Sequence, residues 1–292
     1  MTSTQTQQRK KTKYEKKGHI AVLTIYNPEK ANVMDAECIG EMGSAYRDYW
    51  EDREMRCLIV TGYGDRHFSA GHHIQPPPPD VTPDQQFQRS VENFIYPAAQ
   101  TEQGRKYAVF GGGEDFPLIW KPVIAAINGW AAGAGLYMIL RTTDIRLACA
   151  EHGRLWYPFT TNLSGIGSGP LAAGIIKQMN YIHAAKFLLE GEPVDAAEAV
   201  RIGLVNEAVP HDQLMPRAMQ IAEKIASLPP IAVRYLKELL YRAQDMSQDQ
   251  AWYLQWVYNH LASVHSEDAF DGAKAFLEKR PRRVTGNVHA KL

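Results

Sequence analysis

The chain has few of the features that would identify its chemistry at once. Its 292 residues include three cysteines, Cys38, Cys57 and Cys149, far apart, with no CxxC pair and no His/Cys group at metal-ligand spacing. That pattern excludes a disulfide framework and a zinc-ribbon type of site, and it fits a reducing compartment with no structural metal. Net charge is absent too: 32 Lys and Arg balance 32 Asp and Glu, so there is no basic footprint for nucleic acid and no acidic tail. No apolar run reaches the roughly 18 residues of a membrane span. The first thirteen residues, MTSTQTQQRKKTK, lack an apolar signal core and are too polar to pack. They are expected to form a disordered tail over 1–13 and not an export signal. They are basic with no acidic residue, as a mitochondrial address would be, but have little amphipathic character. The expectation is a cytoplasmic protein with no nucleic-acid or membrane partner.

What is present is an alternation of apolar strands and helices. The length allows one large domain, or a domain with a helical appendage, and is enough to bury a substantial core. Residues 19–26, HIAVLTIY, alternate as a strand and stop at Asn27-Pro28. Asp35 caps a helix running toward Trp50, with Ile39, Met42 and Tyr46 at helical spacing. CLIVT at 57–61 is a buried strand, and DRHFSAGHHIQ at 65–75 is the loop after it. Pro76–Pro79 is extended. A helix is expected over about 84–97. Residues 98–118, with Gly111-Gly112-Gly113, read as an insertion or lid. Residues 144–150 form another strand. Strands separated by helices imply parallel pairing through crossover connections. Beyond Pro158 and the small-residue turn SGIGSG at 164–169, helices are expected at about 181–190, 195–202, 211–227, 231–244, 248–264 and 267–279, with one short strand at 204–209. Trp252, Trp256, Tyr258 and Leu261 share a helix face and read as a core or subunit-contact stripe. No internal repeat is found.

One stretch organises the rest: KPVIAAINGWAAGAG at 121–135. Val123–Ile127 reads as a short buried strand, Leu136–Leu140 as an apolar helix, and Gly133, Ala134 and Gly135 lie between them. The first N–H groups of such a helix have no intrahelical acceptor, and small side chains let a ligand oxygen approach the backbone. Two readings fit: a turn that stabilises an oxyanion, or small residues that only let helix and strand pack closely.

The order of motifs resembles the crotonase, or enoyl-CoA hydratase/isomerase, superfamily. The matching stretches are NPEKAN at 27–32, LIVTGYGDRHFSAGHHI at 58–74, KPVIAAINGWAAGAG at 121–135, GEPVDAAEAVRIGLVNEAV at 191–209 and SEDAFDGAKAFLEKRPRRVTG at 266–286. Together they span about residues 15–286. The resemblance implies an α/β fold with a repeated ββα core over 14–209. It also implies a helical C-terminal region over 210–292 that forms a homotrimer or a dimer of trimers. It implies an enzyme of the lyase/isomerase type that binds an acyl-CoA, with no cofactor beyond the coenzyme A carried by the substrate. Two backbone N–H groups would hold the thioester oxyanion, those of His72 and Ala134 by position in the motifs, and preorganised donors of this kind typically contribute several kcal/mol. Lys30, Ala31, Arg66 and Ala70 lie where the family touches CoA. Gln75 replaces a second-loop base, and Lys279 and Arg280 are a further phosphate contact or a solvated helix end.

The resemblance breaks at the acid and base. Hydratases of this family carry two glutamates, at positions that counting assigns here to Tyr137 and Phe159. Polar groups remaining near the acyl end are His72, His73, Tyr137, Tyr157, Thr160, Thr161, Asn162 and Ser164. A histidine titrates near neutrality and can serve as a base, which singles out His73, while Tyr137 or Tyr157 could donate a hydrogen bond to an enolate; each aromatic could equally line an acyl pocket. Asp144 reads as a cap, and Glu114 and Asp115 as carboxylates that the insertion could bring over the site. Three reactions stay open: hydratase/isomerase chemistry, decarboxylation, whose loss of carbon dioxide itself generates the enolate, and hydrolysis of a C–C bond in a cyclic β-diketone without CoA. A catalytically weak binding or scaffold paralogue is the alternative from another class.

Overall fold

The computed structural model describes residues 5–73, 82–85, 87–88, 118–162 and 174–288. In chain order the elements are β1 (Gln5–Gln8), β2 (Thr12–Lys17), β3 (Ile20–Ile25), α1 (Ala36–Glu51), β4 (Cys57–Gly62) and β5 (His67–Ser69). They continue with β6 (Val123–Ile127), β7 (Trp130–Ala132), α2 (Ala134–Thr142), β8 (Ile145–Cys149), β9 (Arg154–Trp156), α3 (Tyr181–Glu190), β10 (Val194–Asp195), α4 (Ala196–Arg201) and β11 (Glu207–Val209). Helices α5 (Leu214–Ala226), α6 (Pro230–Arg242), α7 (Gln248–His265) and α8 (Glu267–Leu277) complete the chain.

Alternation along the buried strands sets the layering. Every residue of β4 is buried, yet Leu58 and Val60 belong to one hydrophobic cluster and Cys57 and Ile59 to another. β6 divides the same way, with Val123, Ala125 and Ile127 on one side and Ile124 and Ala126 on the other. Side chains of a strand alternate between faces, so a strand apolar throughout must be covered twice. One face is closed by α5, whose Leu214, Ala218, Ala222 and Ala226 recur every four residues and are all buried. The other face packs on α1, α2 and the smaller sheet.

The large sheet runs β1-β2-β3-β4-β6-β8-β11 and the small one β10-β9-β7-β5. β3, β4, β6, β8 and β11 are parallel, as are β5, β7 and β9. Each of β4, β6 and β8 is followed by a corner and then by a strand of the small sheet, and this doubling is the repeated ββ unit. The strands expected at 19–26, 57–61, 123–127 and 144–150 are present, and the six expected C-terminal helices appear with shifted ends. The strand expected over 204–209 is confined to Glu207–Val209. The small sheet was not legible, because strands of two or three residues are too short for a two-residue alternation to repeat. Of the helix expected over 84–97, residues 86 and 89–97 lie outside the described residues, as do residues 98–117 and the turn at 164–169.

Of the segment 1–13, expected to be a disordered tail, residues 5–13 are described and depart from that expectation: β1 is Gln5–Gln8 and β2 starts at Thr12. Several of the segment's polar groups converge on one residue. Glu41 on α1 accepts from Lys10 N and Lys11 N at 3.0 Å and from Thr12 Oγ1 at 2.9 Å, and Arg9 donates to its carbonyl. An edge pair that finds such partners does not need a large apolar face.

Trp252, Trp256, Phe276 and Leu277 are largely exposed in the single chain. Among the described residues no helix is long and apolar enough to cross a membrane. α6 is tied to the core through Asp144, whose carboxylate accepts from Val123 N at 2.7 Å and pairs with Lys237 Nζ at 2.8 Å. Lys237 also donates to the Lys121 carbonyl. Asp144 is thus a cap and an anchor. Asp144→Ala is expected to lower unfolding stability by about 2–3 kcal/mol in urea titration, because it strands a half-buried ammonium and a strand N–H.

Candidate active site

Two buried asparagines position the first half of the site. The His67 carbonyl, at the start of β5, accepts from Asn32 Nδ2 at 2.7 Å and from Asn128 Nδ2 at 3.1 Å. Asn32 also donates to Tyr63 O and accepts from Asn27 N, while Asn128 also donates to Gly64 O and accepts from Gly62 N. Both side chains are therefore satisfied although almost wholly buried. β5 then leads into residues 69–73, which are stitched to residues 31–34. Ser69 Oγ donates to Asn32 O, Ala70 N to Ala31 O, Met34 N to Gly71 O and His73 N to Met34 O.

The second half is the turn between β7 and α2. Gly133, the N-cap of α2, has φ 52° and ψ −119°, a region that only glycine enters without strain. Its N–H donates to Trp156 O at 3.1 Å and its carbonyl accepts Tyr137 N at 3.0 Å. Ala134 is the first helical residue, so its N–H points out of the helix start, where the dipole favours negative charge.

The two halves touch. Gly71 has φ +95°, and a Cβ placed on it would lie 2.9 Å from Ala134 N and 2.8 Å from Ala132 O. There is no room for a methyl group at Gly71, so the backbone just before His72 runs directly against the Ala134 amide. Gly135 serves packing: a Cβ there would meet Ser69 O at 2.6 Å. The packing reading of the Gly-Ala-Gly turn holds at Gly135.

His72 and His73 are exposed, and His72 forms a bridge with Met34. Tyr137 is half-buried on the first turn of α2. Tyr157 follows Trp156 directly, is 5% exposed and stacks on Phe159 at 5.4 Å between ring centroids. Burial pushes the Tyr157 phenol above its ordinary pKa, so it stays a neutral donor at physiological pH. Lys30 and Ala31 end the turn hydrogen-bonded to Ala70, which gathers three of the four expected CoA contacts. Arg66 is not with them. It lies at the opposite end of β5, where it lines a separate cleft with Trp130 and Arg154. Arg280 is committed to Asp271 and Glu278 at 2.7 Å. Thr160 and Thr161 bond Leu188 O and Asn162 Oδ1. Gln75, Glu114, Asp115 and Ser164 lie outside the described residues.

The family model for enoyl-CoA hydratase/isomerase matches residues 15–103 and 114–287. The chain belongs to the enoyl-CoA hydratase/isomerase family. It is an enzyme of that family's lyase/isomerase type. The unmatched residues 104–113 fall inside the segment that reads as an insertion. A carnitinyl-CoA dehydratase of Citrobacter koseri is 31% identical over 273 residues, 91% of this chain and 95% of the relative. One from Salmonella enteritidis is 31% identical over 269 residues, 90% of this chain and 94% of the relative. Among solved structures, an enoyl-CoA hydratase/isomerase from Mycobacterium paratuberculosis superposes with a TM-score of 0.78 at 28% identity, covering 95% of this chain and 99% of that one. An enoyl-CoA hydratase from Bacillus anthracis gives 0.79 at 25% identity, covering 95% and 100%.

Sequence reasoning gave Asn32 and Asn128 no role beyond the motifs that contain them. The available signal was an amide at the end of an apolar strand, which must find several partners once buried. Asn128→Ala leaves Gly62 N and two carbonyls short of partners. It is expected to lower stability by about 3 kcal/mol, read by chemical denaturation.

Proposed function

We propose that this enzyme acts on an acyl-CoA thioester, and that the backbone N–H groups of His72 and Ala134 hold the oxygen of its enolate. The observation that carries this is the close approach of Gly71 to the Ala134 amide, which sets the backbone turn that leads into His72 against the start of a helix. A carbonyl oxygen there gains most as charge develops on it, because the donors are fixed beforehand. The names of the relatives support a CoA thioester and the gain or loss of water. Lys30, Ala31 and Ala70 are proposed to contact the CoA portion beside those amides, while Arg66 would reach it only from the far end of β5.

Proton transfer at the α-carbon is assigned to His73 or Tyr137, with Tyr157 as a neutral hydrogen-bond donor. Tyr137 and Phe159 stand where the family resemblance puts its two glutamates. That same substitution favours decarboxylation as a second reading, since an enolate formed by loss of carbon dioxide needs no base. The exposed apolar residues of α7 and α8 support assembly as a homotrimer or dimer of trimers, and light scattering should give a mass of three or six chains.

Calorimetric titration with CoA and acyl-CoAs should show binding below millimolar ligand. Absence of binding would remove the thioester from consideration and favour a CoA-independent C–C hydrolase or a scaffold. Incubation with enoyl-, 3-hydroxyacyl-, malonyl- and β-ketoacyl-CoAs, followed by mass spectrometry, separates hydration, dehydration, decarboxylation and hydrolysis. Gly71→Ala is expected to lower kcat/KM by about 10²-fold or more, with the thermal transition measured alongside to separate loss of the site from loss of the fold.

A further inference from the structure

Register in the large sheet brings together groups that are distant in sequence. β11 pairs in parallel with β8, Val209 opposite Cys149, and Ala150 N donates to Val209 O. Two residues beyond that pair, His211 therefore comes level with the turn that follows β8. Gly153 N closes that turn on Cys149 O at 2.8 Å. One donor atom from each of Cys149, His152 and His211 lies within 4.8 Å of the other two. Cys149 Sγ is 3.7 Å from His211 Nδ1 and 3.2 Å from Glu151 Oε2, and Glu151 Oε2 also accepts from His211 N at 3.0 Å. The two imidazoles meet edge to face, with ring centroids 5.4 Å apart. The thiol is buried while both histidines are exposed, so solvent reaches the group from one side.

These distances have a direct chemical meaning. Around a tetrahedral Zn²⁺, with bonds of about 2.0–2.3 Å to nitrogen, oxygen and sulfur, neighbouring donor atoms stand roughly 3.3–3.6 Å apart. The Cys149 sulfur and the His211 nitrogen, 3.7 Å apart, are already near that spacing and the His152 donor lies within 4.8 Å of both, a mixed sulfur and nitrogen set suited to a borderline cation. We propose that Cys149, His152 and His211 bind a divalent cation of the Zn²⁺ class, with solvent completing its coordination. On binding, the Cys149 S–H bond is broken, its proton leaves to solvent, and the thiolate bonds the cation. The site lies at the start of β9, whereas Trp156 at the other end of that strand holds Gly133. It clamps the end of β11 to the turn after β8 and takes no part in the acyl chemistry.

The test is titration of the full chain, purified without metal-affinity resin, with Co²⁺ as a spectroscopic stand-in. One equivalent should give a thiolate-to-cobalt charge-transfer band that Zn²⁺ abolishes, and Zn²⁺ should raise the thermal transition in a way a chelator reverses. His152→Ala and His211→Ala change exposed side chains and should keep the fold by circular dichroism; each is expected to weaken binding at least tenfold. Cys149→Ser should remove the charge-transfer band. No band in the unaltered chain, or an unchanged band and affinity in the double histidine variant, would overturn the assignment.

Discussion

The His67 carbonyl accepts a hydrogen bond from each of two buried asparagines, and the candidate site depends on that junction. Asn32 comes from the loop after β3 and Asn128 from the corner between β6 and β7. Their meeting fixes β5 relative to both. A carbonyl buried at a strand start needs donors, and an amide buried in an apolar layer needs partners for all its atoms. Here each answers the other, so the arrangement is satisfied only in one geometry. From it follow the path of residues 69–73 and their ladder to residues 31–34. Satisfied polar networks of this kind specify position more than they add stability.

The second constraint is steric. Gly71 and Gly133 both take conformations with positive φ; a side chain on Gly71 would collide with Ala132 O and Ala134 N, whereas at Gly133 the backbone angles alone call for glycine. The helix start at Ala134 is pinned from the far side by Trp156 O on Gly133 N. Backbone donors positioned this way are indifferent to their own side chains, which is why a histidine can stand at 72 without harm to the role proposed for its amide. The reaction is then decided by what projects around the turn. Tyr137 and the stacked pair Tyr157 and Phe159 make that surroundings aromatic, and buried phenol groups supply hydrogen bonds more readily than negative charge.

Much of this was legible in the residues. The continuous apolar runs at 57–61 and 123–127 announced strands covered on both faces, and the Gly-Ala-Gly turn announced a close backbone approach. Asp35 announced its helix, and its side chain does accept from Cys38 N. What was not legible depends on register between segments far apart in sequence. Strands of three residues carry no period, so β5, β7 and β9 were hidden although they carry the site. The placement of Arg66 away from Ala70 follows from the length and direction of β5, which no local pattern encodes. Residues 9–12 are bound by Glu41, which lies some thirty residues on and whose role is invisible until α1 is packed. Cys149 and His211 show no metal-ligand spacing along the chain because β8 and β11 become neighbours only in the sheet.

The central claim is that two backbone turns, meeting at Gly71 and Ala134, receive a thioester oxygen. A crystal structure with a non-reactive acyl-CoA analogue tests it most directly. The account expects the thioester oxygen at about 2.7–3.1 Å from both His72 N and Ala134 N. A thioester oxygen directed elsewhere, out of reach of both amides, would contradict it.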